Sequence, residues 1–136
     1  MLAQPRMPEP IARASVMTVG VKLFLALCDD WGLSETERMT LAGLTSRNTL
    51  RNWKERAESG DPVKLRPDTL ERLSLIAGIR KSIEILLPRA EWSPYIRRPN
   101  RDFAGHSALE RMLGGRVIDL WEVRRYLDMQ RGASFA

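Results

Sequence analysis

The chain has 136 residues, 43% of them hydrophobic and 29% charged, with a formal net charge of +5 and a sequence pI near 10.0. These values suit a soluble globular protein, with room for one domain or for two small modules sharing a core. Cys28 stands alone, which excludes an intrachain disulfide framework, and no apolar run reaches the length of a membrane span. Residues 1–14 carry three prolines and no periodicity, so a flexible arm is expected. From residue 15 to 30 a helix is expected: Val16, Val19, Leu23 and Leu27 recur at helical intervals, as do Val21, Leu25 and Cys28. Arg13 precedes this apolar segment as in a secretory signal, but no small-residue cleavage site follows, and a core helix in a cytoplasmic protein is the simpler reading. Trp31, Gly32 and Leu33 close it. Ser34 and Glu37 have capping-box spacing, so a second helix starts at Ser34 and runs to about Ala42, where Gly43 breaks it. Thr45 or Ser46 caps a third helix with Leu50, Trp53 and Ala57 on one face. Ser59, Gly60, Asp61 and Pro62 form a loop. Asp68 and Glu71 offer a further cap. The stripe Leu70, Leu73, Ile76 and Ala77 follows, with Gly78 as a point of interruption before Ile79, Ile83, Leu86 and Leu87. Pro88, Pro94 and Pro99 punctuate a connecting segment whose Trp92 and Tyr95 anchor against a helical surface. Nothing reads as a strand, and the expected class is all-α.

Helix, short break, helix is the spacing of a helix-turn-helix. Gly43 tolerates the sharp turn, Leu44 plugs the crevice, and Leu50 and Trp53 lock the second helix to the core. The outward set is then Thr45, Ser46, Arg47, Asn48, Arg51, Asn52 and Lys54. Arg reads guanine and Asn reads adenine in a major groove, so the set suits operator DNA. A plain helical hairpin with a solvated basic face is the alternative. A second arginine cluster (Arg89, Arg97, Arg98 and Arg101) faces only Glu91.

The last third holds Pro99-Asn100-Arg101-Asp102-Phe103-Ala104-Gly105-His106-Ser107-Ala108-Leu109. A short helix capped by Ser107, a stop at Gly114-Gly115 and a terminal helix over 117–131 follow. The terminal helix has more apolar surface than one buried stripe needs. Val117, Leu120, Trp121 and Leu127 share a face, while Ile118, Val123, Tyr126 and Met129 spread further around. Two readings are open: a helix inserted between two others of the same chain, or one offering its second face to a partner.

The pattern Asn100, Phe103, Gly105, Ser107, Leu109, Gly115, Val123, Tyr126, Leu127, Gly132 resembles the toxin-binding domain of the Xre/MbcA/ParS antitoxins. Residues 34–87 resemble the Xre-type helix-turn-helix of the same family. Beside the arm expected over 1–14, the resemblance implies a helix-turn-helix domain over 15–88 and a toxin-binding domain over 89–136. It implies a cognate toxin as partner, commonly of the NAD-degrading RES type, neutralised by direct binding, with autorepression of the operon. Phe103, Ser107, Trp121, Tyr126, Met129, Arg131 and Phe135 are the toxin-contact candidates, and the end of the chain is expected at the toxin's active-site mouth. A homodimer is expected because helix-turn-helix proteins read paired half-sites, with residues 16–27 as the first choice of interface.

Catalysis is not expected. His106 is the single histidine, and Ser107 beside it reads as a helix cap rather than a nucleophile. No metal-ligand spacing and no glycine-rich phosphate loop occur, so no metal or cofactor is expected. The alternative function is a stand-alone helix-turn-helix regulator whose C-terminal half only dimerises; a pure interaction scaffold is a third.

Overall fold

Seven helices carry the regular structure of residues 10–134, which the computed structural model describes. They are α1 (Pro10–Asp30), α2 (Glu35–Ala42), α3 (Arg47–Ser59), α4 (Pro67–Leu86), α5 (Trp92–Arg97), α6 (Ala108–Met112) and α7 (Val117–Ser134). Single 3-10 turns at Arg89–Glu91 and Arg101–Phe103 join the later ones. The first helix begins at Pro10 rather than at residue 15. Proline suits a first helical position, where its missing N–H is not needed. Residues 1–9 of the expected arm lie outside the described residues.

The caps follow the local chemistry. Ser34 Oγ accepts the Glu37 amide at 3.1 Å, and Glu37 Oε1 accepts the Ser34 amide at 2.8 Å. Gly43 ends α2 in the left-handed region at φ +69°. Of the two cap candidates for α3 the structure uses Ser46, whose Oγ accepts the Asn48 amide at 3.2 Å. The expected Asp68 cap is not used. Arg66 holds the N-cap position of α4 without a side-chain bond, and Pro67 leads the helix. The pre-set φ of proline starts the helix two residues earlier than an Asp68 cap would. Asp68 falls in the first turn, where a carboxylate favours the helix dipole. Gly78 does not interrupt α4. It makes room for α7, because a Cβ there would collide with the Arg124 guanidinium.

The connecting segment is more ordered than its prolines suggest. Pro94 sits in the first turn of α5, where no amide is needed, and Ile96 is fully buried. Trp92 Nε1 donates to the Leu87 carbonyl at 2.9 Å.

Helix α4 is the centre of the fold and packs against α1, α2 and α7. Its Leu73, Ile76, Ile79 and Ile83 meet Val21, Phe24 and Leu27 of α1, Leu50 and Trp53 of α3, Leu109 and Met112 of α6, and Leu120, Val123 and Leu127 of α7 in one buried cluster. The helix-turn-helix half and the C-terminal half therefore share a core. Cys28 lies inside it, and burial pushes its thiol up to about 12. Val16, Val19 and Leu23 of α1 point outward, each more than half exposed.

Candidate functional site

Helices α2 and α3 form the helix-turn-helix. Leu50 and Trp53 of α3 are buried, and the Trp53 ring stands edge-on to Phe24 of α1 at 6.3 Å between centroids. Leu44 packs against the same core from the turn. This anchoring turns Arg47, Asn48, Arg51, Asn52 and Lys54 outward, and all five are exposed. Thr45 is exposed beside them, while Ser46 is partly covered and engaged as the cap. Thr49, between Asn48 and Leu50, is also exposed and joins this face. The nearest carboxylate to Arg47 is Glu35, 3.7 Å from its Nε, with both side chains largely in solvent. Such a pair contributes little to stability and leaves the guanidinium available to DNA.

Arg47→Ala and Arg51→Ala are each expected to cost about 1–3 kcal/mol of operator affinity, the value of a base contact. Lys54→Ala should weaken binding evenly across sequences and flatten its salt dependence, as loss of a phosphate contact does. Fluorescence anisotropy over a salt series measures both. Wild-type affinity in the two arginine variants would show that α3 does not enter the groove by this face.

In the C-terminal half the polar turn is held by Asn100. Its amide donates to the His106 carbonyl at 3.0 Å, its carbonyl accepts from Gly105, and its side chain accepts the Asp102 amide. Ala104 and Gly105 take successive positive φ values of 56° and 87°. Phe103 thereby lies 4.7 Å from the ring of Tyr126, whose hydroxyl donates to Asp102 at 2.8 Å. Ser107 Oγ accepts the Glu110 amide at 3.0 Å to start α6. The side chain of Ser107, one of the contact candidates, is buried in this role and builds the unit. His106, exposed, bonds Glu110 at 3.1 Å.

The start of α7 is clasped by Asp119. This carboxylate is 2% exposed and accepts from the Arg116 amide at 3.0 Å and from the Arg116 guanidinium at 3.0 and 3.2 Å. A Cβ on Gly114 would collide with it, while Gly115 is needed for its positive φ of 85°. The Arg116 bonds hold the Asp119 carboxyl below its ordinary value of 3.8, against the opposing effect of burial. A depressed carboxylate stabilises the fold above its unfolded pKa and loses that contribution as pH falls through the folded value. Asp119→Asn should therefore lower the melting temperature at neutral pH and narrow the gap to wild type in strong acid. A constant gap across thermal melts from pH 7 to pH 2 would refute the clasp.

The two faces of α7 differ in burial. Leu120, Val123 and Leu127 are buried against α4 and α6. Trp121, grouped with Leu120 in the sequence reading, is instead 45% exposed, and Val123 takes the inner place. Positions 120, 123 and 127 follow the helical repeat of one stripe, which position 121 leaves. Ile118, Trp121, Arg125 and Met129 form the outer stripe, with the Arg125 guanidinium over the Trp121 ring at 5.4 Å. Ile118 and Arg125 were not among the sequence candidates; their spacing from Trp121 by three and four residues was the available signal. Tyr126 is half-buried under Phe103. Arg131 is partly covered and reaches Ser82 of α4 at 3.4 Å. Phe135 lies outside the described residues.

Residues 11–78 match the family described as the antitoxin Xre-like helix-turn-helix domain. Residues 84–132 match the antitoxin Xre/MbcA/ParS C-terminal toxin-binding domain. The chain belongs to the Xre/MbcA/ParS antitoxins. This antitoxin is also 39% identical over 125 residues, 91% of its length and 93% of the relative's, to the uncharacterized protein y4oB of Sinorhizobium fredii strain NBRC 101917 / NGR234. It is thus an antitoxin of a toxin–antitoxin system, with a helix-turn-helix and a toxin-binding domain in the order the fold displays. Neither matched domain is an enzymatic family. No helix among the described residues is long and apolar enough to cross a membrane.

Proposed function

We propose that the antitoxin neutralises a RES-type, NAD-degrading toxin by docking α7 on it, and that it represses its own operon through α3 in the cytoplasm. The outer stripe of α7 carries this reading. A helix that already buries Leu120, Val123 and Leu127 still offers Ile118, Trp121 and Met129 to solvent. Trp, Met and Arg on one exposed strip are the composition of a partner surface. The stripe leads toward the end of the chain, so the residues from Arg131 onward would lie at the toxin's active-site mouth. Repression needs paired half-sites and hence a homodimer. The exposed Val16, Val19 and Leu23 of α1 are the proposed contact between copies.

Co-expression with the protein encoded beside the antitoxin gene tests the central reading. Rescue of growth, co-purification, and NAD depletion by the neighbour alone support it. A neighbour that degrades no NAD would remove the RES assignment and leave toxin binding standing. If no toxic neighbour co-purifies while the promoter is still bound, the protein is a stand-alone regulator.

A further inference from the structure

The arginines of the connecting segment do not share one task. Arg98 pairs with Glu91, and the Arg89 guanidinium lies over the Trp92 ring at 5.9 Å. Arg97, the last residue of α5, instead reaches back 60 residues to the helix-turn-helix half. Its Nη2 donates to Glu37 Oε1 at 3.0 Å and to the Gly32 carbonyl at 3.1 Å, and its Nη1 donates to Glu37 Oε2 at 3.3 Å. The side chain is nevertheless 49% exposed. Its Nε–H takes no acceptor among the described residues, so the guanidinium keeps donor capacity toward solvent.

Glu37 stands in the first turn of α2 together with Glu35. In a helix-turn-helix the first helix crosses the DNA backbone while the second enters the groove. Carboxylates at that crossing repel phosphate. Each of these two is met by an arginine: Glu35 by Arg47 at the start of α3, 3.7 Å away, and Glu37 by Arg97 of the C-terminal half. The Arg97 bonds also hold the Glu37 carboxyl below its ordinary range, so it stays charged at neutral pH. One acidic turn therefore has the groove-reading arginine on one side and a half-exposed guanidinium on the other. Arginine is the cation best shaped to bridge a carboxylate and a phosphate, because its flat fork carries donors on more than one edge.

We infer that Arg97 is a phosphate-contact residue, so that the C-terminal half takes part in operator binding at the edge of the helix-turn-helix. It adds no base contact and no sequence information. It neutralises the acidic start of α2 and offers its outer donors to the backbone that crosses there. This inference rests on the proposed entry of α3 into the operator groove.

The test is a salt series on the full chain, with affinity measured by anisotropy on a duplex from the antitoxin's own promoter. Arg97→Met should weaken binding about tenfold at low salt. It should also flatten the plot of log affinity against log salt by about 0.9 for each copy bound, the signature of one lost phosphate contact. Glu37→Gln, which keeps a capping side chain, should tighten operator binding. The double variant Arg97→Met with Glu37→Gln separates contact from screening, and it serves where the single methionine variant melts too low, since it leaves no unpaired carboxylate. Its slope should stay flattened. A double variant with the wild-type slope and affinity would show that Arg97 does no more than screen Glu37, and that result overturns the inference. So does an unchanged slope in Arg97→Met. A wild type that binds no operator overturns the proposed role of α3 itself, and this inference with it.

Discussion

Replacing Trp53 by alanine should lower the stability of the antitoxin by about 3–5 kcal/mol, the cost of emptying a large buried aromatic site. The indole is 3% exposed and stands edge-on to Phe24 at 6.3 Å. It is the only large side chain besides Leu50 that α3 buries. A domain of this size is stable by about 5–15 kcal/mol in total, so the variant sits near its folding limit. Operator binding should fail at temperatures where the wild type binds well, because Arg47 and Arg51 lose the anchored helix that presents them. Urea denaturation followed by circular dichroism measures the loss. A midpoint unchanged from wild type would mean that the cavity collapses without penalty and that α3 is held by something other than its tryptophan.

Replacing Trp121 by alanine should act at the other surface and leave the fold alone. Nearly half of this side chain is in solvent, and the inner stripe of α7 does not depend on it. An exposed tryptophan stacked by Arg125 has the character of a binding hot spot, where truncation costs about 2 kcal/mol or more. That is a loss of roughly 30-fold in toxin affinity. Arg125→Glu should weaken binding as well, by removing the cation from the ring. Titration calorimetry against inactive toxin gives the affinities, and a thermal melt checks the fold. Full affinity in both variants would move the docking surface away from the outer face of α7.

Point variants are the sharper tools here because α7 belongs to the core. Truncation after Gly114 removes Leu120, Val123 and Leu127 from the buried cluster. A truncated chain that fails to bind toxin would then report unfolding as much as a lost interface. Removing only residues 131–136 spares those three positions. That deletion should keep docking and weaken neutralisation if the end of the chain blocks substrate entry.

Much of the fold was readable from residues whose chemistry acts within one turn. Ser34 with Glu37, and Ser107 as a helix start, are bonds between neighbours in the chain, so spacing alone determines them. Gly43 as a helix stop is equally local. The outward set Arg47, Asn48, Arg51 and Asn52 follows from knowing that Leu50 and Trp53 face in, since one buried pair orients a whole short helix. The start of α4 was misplaced because two local rules competed, and the fixed φ of Pro67 prevailed over the capping side chain of Asp68.

What remained hidden depends on partners distant in sequence. Trp121 and Val123 have similar apolar character, and only the position of α4 and α6 beside α7 decides that Val123 is inside and Trp121 out. Gly78 reads as a helix breaker until Arg124, 46 residues later, occupies the space it leaves. Arg72 reads as one cation among many until folding sets it between Gly43 and Gly115. By itself the sequence determined the longer helices and the caps at Ser34 and Ser107, because periodicity and capping are short-range physics, while the family was legible in the resemblance of a residue pattern. Tertiary structure alone decided which face of each helix is free and which side chains pack between distant turns, because burial is a property of neighbours that the chain brings together only on folding.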